Sequence, residues 1–186
     1  RHGMYFNGVM LVSTVLNFQS TGFNPGNDLP YILFLPTYTA TAWYHRRLPE
    51  ALQSDLEKIL AEVEKFALNE YTQALMKGST LPQTKRDQVV EKLARYTGLT
   101  EAYIRQTNLR INIFRFVKEL LRDERRTVGR LDSRFTGIDR DAAGDKFEFD
   151  PSYSAIQGPF TAVFNDYVRR ELDFKHDLPY EILTNL

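Results

Sequence analysis

The densest run of chemically versatile side chains is Arg125-Arg126-Thr127-Val128-Gly129-Arg130-Leu131-Asp132-Ser133-Arg134-Phe135-Thr136-Gly137. Its arginines alternate with Gly, Asp and Ser and follow no helical period. In that setting they could grip a carboxylate-bearing ligand through paired guanidinium contacts. The plainer reading is local: Arg130 and Arg134 pair with Asp132, Asp139 or Asp141 and pin a loop. Such ion pairs are common and individually weak, so the plainer reading carries more weight.

Other chemistries are poorly served. No Gly-x-Ser-x-Gly elbow exposes a serine on a sharp strand-to-helix turn. His2, His45 and His176 stand without a companion motif, and no Gly-rich loop is built to cradle phosphate. The pairs Glu62/Glu64 and Asp139/Asp141 sit in solvated contexts unsuited to glycosidase chemistry. Asp139-Arg140-Asp141-Ala142-Ala143-Gly144-Asp145 resembles the opening of a calcium loop. Ala143 replaces its fifth-position ligand, however, and Asp150 stands where a bidentate Glu belongs. No metal and no cofactor are expected.

A binding function has one local signal. Leu93, Ala94, Gly98, Leu99 and Ile104 match the spacing of a helix-turn-helix, with Lys85, Arg86, Arg95, Arg105, Arg110 and Arg115 around them. Glu91 and Glu101 dilute the patch, and any two short helices joined through a capping Gly read alike. A DNA-binding module around Leu93–Ile104 is the alternative function, and no nucleic-acid partner is the first expectation. The aromatics Tyr31, Phe34, Tyr38, Trp43 and Tyr44 either pack in a core or line an apolar pocket whose other wall lies outside this chain.

These residues need elements to hold them. The chain has 186 residues, 24 basic and 24 acidic groups, no Cys, and 42% hydrophobic and 13% aromatic residues. That composition suits a packed core and excludes a disulfide scaffold, a thiolate zinc site and a cysteine nucleophile. No apolar run reaches the roughly 20 residues of a membrane span, so no membrane partner is expected. Arg1-His2-Gly3 opens without Met or a signal-peptide pattern, which leads to the expectation of a piece cut from something longer.

The nearly continuous apolar run Tyr5 to Ser13 predicts a strand buried on both faces, with its partners outside the chain. Residues 17–49 are punctuated by Pro and Gly, with short helical turns over Tyr31 to Leu35 and Thr37 to His45. Pro49 opens the clearest helix, whose apolar positions Leu52, Leu56, Ile59, Leu60, Val63, Phe66 and Ala67 recur three and four apart until Gly78. Further helices are predicted over Thr84 to Thr97, after a Thr100 N-cap, and over Asn112 to Asp123. Thr127 to Tyr153 reads as extended or loop. Asp150-Pro151-Ser152 enters a last helix with Phe160, Val163, Phe164, Tyr167, Val168 and Leu172 as an apolar stripe, and Pro159 either kinks it or starts its main part.

The runs Arg1 to Ser13, Leu35-Pro36-Thr37-Tyr38-Thr39-Ala40-Thr41-Ala42-Trp43-Tyr44-His45, Arg126 to Gly137, and Gly158 through Tyr167-Val168-Arg169 together resemble the bacterial branch of the serine carboxypeptidase family. The resemblance spans the chain end to end, although no single run is a catalytic signature. It implies an α/β-hydrolase that removes C-terminal residues from peptides with a Ser-Asp-His triad. The nucleophile of such enzymes lies in a Gly-Glu-Ser-Tyr-Gly elbow upstream of the part matched here, and the acid and base lie downstream. No triad residue is therefore carried over to any position of this chain. The family's eukaryotic members use disulfides, so the absence of Cys favours the bacterial branch, whose full-length members look secreted or periplasmic.

The resulting expectation is a mainly α (α+β) chain: residues 1–18 as a strand of an α/β-hydrolase core, and residues 19–186 as a helical cap or insertion. Its substrate would be a peptide met through a hydrolase core outside this chain, with Tyr38, Trp43 and Tyr44 as pocket wall. Alone it is expected to be inactive.

Overall fold

The computed structural model describes residues 2–3 and 5–182. Asp55 begins the central helix. Its carboxylate accepts from the Lys58 N–H and satisfies one of the free donors at the start of α3, Leu56–Phe66. The apolar face of α3 buries Ile59, Val63 and Phe66. A wider π turn, Ala67–Tyr71, joins it to α4, Thr72–Lys77, and Gly78 at φ 51° ends the run. The π turn brings Phe66 and Tyr71, five residues apart, into a stack with centroids 5.9 Å apart. Pro49 does not open this helix, contrary to the expectation. It precedes a single 3-10 turn, Glu50–Leu52, and the helix waits for the stronger cap at Asp55.

Two short N-terminal helices share a Pro-primed geometry: α1, Leu29–Leu33, and α2, Leu35–Tyr44, each with Pro in its first turn. α2 packs on α3 and on α5, Gln83–Thr97. α5 buries Val89, Val90, Leu93 and Tyr96 and ends where Gly98 takes φ 70°. α6, Glu101–Gln106, starts at the Thr100 cap, whose hydroxyl accepts from the Tyr103 N–H. α7, Ile113–Glu119, starts at Asn112, which caps Phe114 N. Leu35, Tyr38, Val63, Tyr71, Val90, Leu93, Ile104 and Phe116 are members of one core.

Beyond α7 the chain forms a small antiparallel pair, β1 (Thr127–Val128) and β2 (Thr136–Gly137), in the register Thr127↔Gly137 and Val128↔Thr136. The final helix α8, Pro151–Arg170, is capped by Asp150 and carries Pro159 inside it without a break. Its contacts with the body lie at β1 and β2, and Pro151 and Ser152 at its start are buried. Of its expected apolar stripe only Val168 is buried. Residues 172–182 turn back along α8. There Asn165 pairs with the Tyr180 backbone in both directions, at 3.0 Å and 2.7 Å.

The chain is mainly helical, 54% helix with one two-stranded sheet. The strand expected over Tyr5 to Ser13 is not formed. Among the described residues of that run Tyr5, Phe6, Val9, Met10, Leu11 and Val12 are all exposed. The reason is physical: a strand apolar on both faces needs neighbours on both sides and covers above and below, and β1 and β2, the sheet among the described residues, have paired with each other. Arg1, Met4 and residues 183–186, which fall within the expected strand and cap segments, lie outside the described residues. Among the described residues no helix is long and apolar enough to cross a membrane.

Candidate functional site

The Arg-rich segment is the loop that joins β1 to β2, and it is anchored from two sides. On one side stands the start of α8. Asp150 Oδ1 accepts from the backbone N–H groups of Arg130 (3.1 Å) and Ser152 (3.0 Å) and from the Ser152 hydroxyl (2.5 Å). That hydroxyl in turn accepts from Leu131 N at 3.0 Å. The cap of a helix thus doubles as the clamp of a loop twenty residues earlier. The packing leaves no room at Gly129: a Cβ there would lie 2.7 Å from Ser152 Cβ and collide with the Asp132 carbonyl.

On the other side stands the end of α2. Thr41 Oγ1 donates to Ser133 Oγ at 3.0 Å, and His45 Nε2 donates to the Ser133 carbonyl at 2.6 Å. His45 therefore meets the backbone and not the hydroxyl of Ser133, so the two do not form a nucleophile with its base.

Each arginine with a contact finds it nearby. Arg126 reaches Thr136 Oγ1, Arg130 Nε stands 3.6 Å from Asp150, and Arg134 forks onto Asp132 at 2.7 Å. The hydrogen bonds from Arg134 hold the Asp132 carboxyl down at about 2. The local pairing of Arg134 with Asp132 is as read from the sequence. Asp139 and Asp141 play no part in it. The ammonium of Lys118 binds Asp139 at 2.5 Å and the Asp141 carbonyl at 2.9 Å, with both charged side chains at most 4% exposed. Arg122, in the 3-10 turn that follows α7, reaches the carbonyls of Ala142 and Gly144. The calcium-like stretch is therefore held by cations of the protein itself. Among the described residues no group of three His, Cys, Asp or Glu side chains could hold a metal ion.

The three expected pocket residues diverge. Tyr38 enters the core, stacked on Phe116 at 4.2 Å with its hydroxyl donating to the Ile111 carbonyl, and burial pushes its phenol far above the usual range. Trp43 is half-buried, donates from Nε1 to the Gln53 carbonyl at 3.1 Å and carries the Arg46 guanidinium over its ring. Tyr44 is exposed, edge-on to His45, next to the anchored loop. Tyr31 and Phe34 gather instead around Phe23. What the arrangement offers chemically is a doubly anchored loop with Leu131, Arg134 and Phe135 exposed, and an exposed Tyr44 adjoining the His45 that holds the loop. No motif or spacing in the sequence marks Thr41 or Lys118. Ser152 has a local signal, since it follows Asp150-Pro151 at the helix entry.

The helix pair around Gly98 exists as α5 and α6, but its basic side chains other than Arg95 have other engagements. Arg105 pairs with Asp87 and Glu101, Arg110 forks onto Asp28, Arg86 binds Asn108, Lys85 binds Gln88 and Arg115 pairs with Asp145.

No family model matches the chain, and neither a curated protein nor a solved structure matches it.

Proposed function

We propose that this chain is the helical cap of a serine-type, carboxypeptidase-like α/β-hydrolase, which covers the active site, excludes water and shapes the pocket for a peptide substrate. The observation that carries the reading is a contrast within the chain. The helical body closes on its own core, whereas the run from Tyr5 to Val12 is strand-like in sequence and exposed in the structure. A strand that is apolar on both faces belongs between neighbours and under covers that a hydrolase core provides. Acyl transfer would then rest on a serine nucleophile and oxyanion hole in that core, with Tyr44 and the loop bearing Leu131, Arg134 and Phe135 facing the substrate from the cap side. Arg105, Arg110 and Arg115 near Gly98 are ion-paired, and they give the DNA-binding alternative no comparable support.

The test uses the chain alone and the chain expressed with its natural flanking coding sequence. The chain alone should neither hydrolyse a blocked dipeptide nor react with a serine-directed fluorophosphonate. The longer protein should do both, with the label on a serine upstream of Arg1. A longer protein that lacks such a serine, or a chain that turns over substrate by itself, overturns the reading.

A further inference from the structure

α8 carries an exposed apolar seam. Phe160, Val163 and Tyr167 recur three and four apart, the spacing by which one helix packs along another. Phe160 is 60% exposed and Val163 70%. Phe164 flanks the seam and stacks on Tyr180 at 4.9 Å, so the returning segment widens the patch with Tyr180 and Leu178. That segment lies over Asn165 and Val168, the adjacent stripe, and leaves the seam open. Aromatic side chains offer ~150–250 Å² each, and Val and Leu fall toward the lower end of that range. Exposed by 37–70%, these six together present on the order of 700 Å², against the ~800 Å² each partner contributes to a standard interface.

We propose that this seam pairs with itself, joining two copies of the chain through antiparallel α8 helices about a two-fold axis. Three features favour a second copy as the occupant. The seam is self-complementary: a register centred between Val163 and Phe164 sets Phe160 on the partner's Tyr167 and Val163 on the partner's Phe164. Its charges do not repel in that register, because Asp166 faces the partner's Thr161 and Arg170 the partner's Gln157, while Asp166 and Arg170 already pair within one helix at 3.6 Å. Finally, the body meets α8 through β1 and β2, near its first residues, so an antiparallel pair places the two bodies at opposite ends of a helix ~30 Å long. The interface is isologous and closed, which limits assembly to a dimer.

Sedimentation equilibrium of the chain tests this. The expected result is a monomer–dimer equilibrium that Val163→Asp weakens at least 100-fold, with helix content unchanged by circular dichroism because Val163 makes no buried contact. Val9→Asp, in the exposed N-terminal run, should leave it unaltered. The chain has no Cys, so Val163→Cys gives a clean second readout: mild oxidation should yield a covalent dimer, and Leu68→Cys, exposed in the π turn, should not. A chain that stays monomeric to high concentration overturns the proposal. So does a dimer that survives Val163→Asp, or one that Val9→Asp dissolves. None of these outcomes bears on the hydrolase reading, which is tested by serine labelling.

Discussion

His45 and Ser133 are joined across 88 residues of chain by a 2.6 Å hydrogen bond from the imidazole Nε2 to the peptide carbonyl. This bond fixes the tip of the β1–β2 loop to the end of α2, and the Asp150–Ser152 clamp fixes its base to α8. The loop is consequently a stapled part of the fold. Its exposed side chains Leu131, Arg134 and Phe135 are presented by a backbone with little freedom.

If so, the loop's packing is sensitive to a single methyl group. Gly129→Ala places a Cβ against Ser152 and the Asp132 carbonyl, where neither backbone nor a buried serine can give way. Overpacking of this kind costs about 2–3 kcal/mol. Urea unfolding should show that loss at constant m-value, and hydrogen exchange should show the loop and the first turn of α8 opening together. A change under 0.5 kcal/mol would mean the clamp is loose.

Gly98 makes the same argument elsewhere. It holds a left-handed φ of 70°, and an added Cβ would stand 2.8 Å from Arg47 Cβ and 2.9 Å from the Arg47 carbonyl. Gly98→Ala combines the left-handed cost of ~1–2 kcal/mol with that contact. An unfolding loss of about 2–3 kcal/mol is expected. A near-neutral result would show that the α5–α6 turn relaxes away from Arg47.

How much of this could be read in advance depended on how local each signal is. Gly98, Thr100, Asn112 and Asp150 end or start helices through groups within four residues, and each does what its residue type implies. The π turn after Phe66 has no such signature, because nothing in the apolar spacing announces one extra residue. Tyr38, Trp43 and Tyr44 looked like one wall, yet neighbours on a helix point ~100° apart. Five and six positions therefore separate a core ring from a half-buried and an exposed one. The contacts from Thr41 and His45 to Ser133 link distant segments of chain, and no periodicity encodes them. The run from Tyr5 to Ser13 shows the converse: its pattern specifies burial on both faces, but the described residues supply neither.

The Asp132–Arg134 pair predicts a pH response. Arg134 lowers the Asp132 carboxyl to about 2, below the ~3.9 of an unperturbed Asp. A carboxyl depressed in the folded state contributes stability above its unfolded value and loses it as pH falls through about 2. Arg134→Ala should therefore lower stability at neutral pH relative to that near pH 2, by less than the full shift implies because both side chains are solvent-screened. The Asp132 carboxyl carbon, followed by NMR, should titrate nearer its ordinary value in that variant. A titration still centred near 2 would assign the shift to the loop backbone.

The buried pair of Lys118 and Asp139 sets the largest effect expected in the molecule. Removing one member strands the other charge away from water, which costs about 3–5 kcal/mol. Here the ammonium also holds the Asp141 carbonyl, so Lys118→Met should release the stretch from Asp139 to Glu148 as well as destabilise the body. Replacing both charges, Lys118→Met with Asp139→Leu, removes the stranded carboxylate and should recover most of the loss, because a buried ion pair and an apolar pair of similar size differ little. The double variant would still lack the ammonium on the Asp141 carbonyl. Proteolysis within 140–147 should therefore stay fast in it while its unfolding midpoint returns toward the parent's. If the double variant is no more stable than Lys118→Met, the charge pair does more than neutralise itself: Asp139→Leu also removes the acceptor of the Glu148 N–H, and that loss offsets the gain.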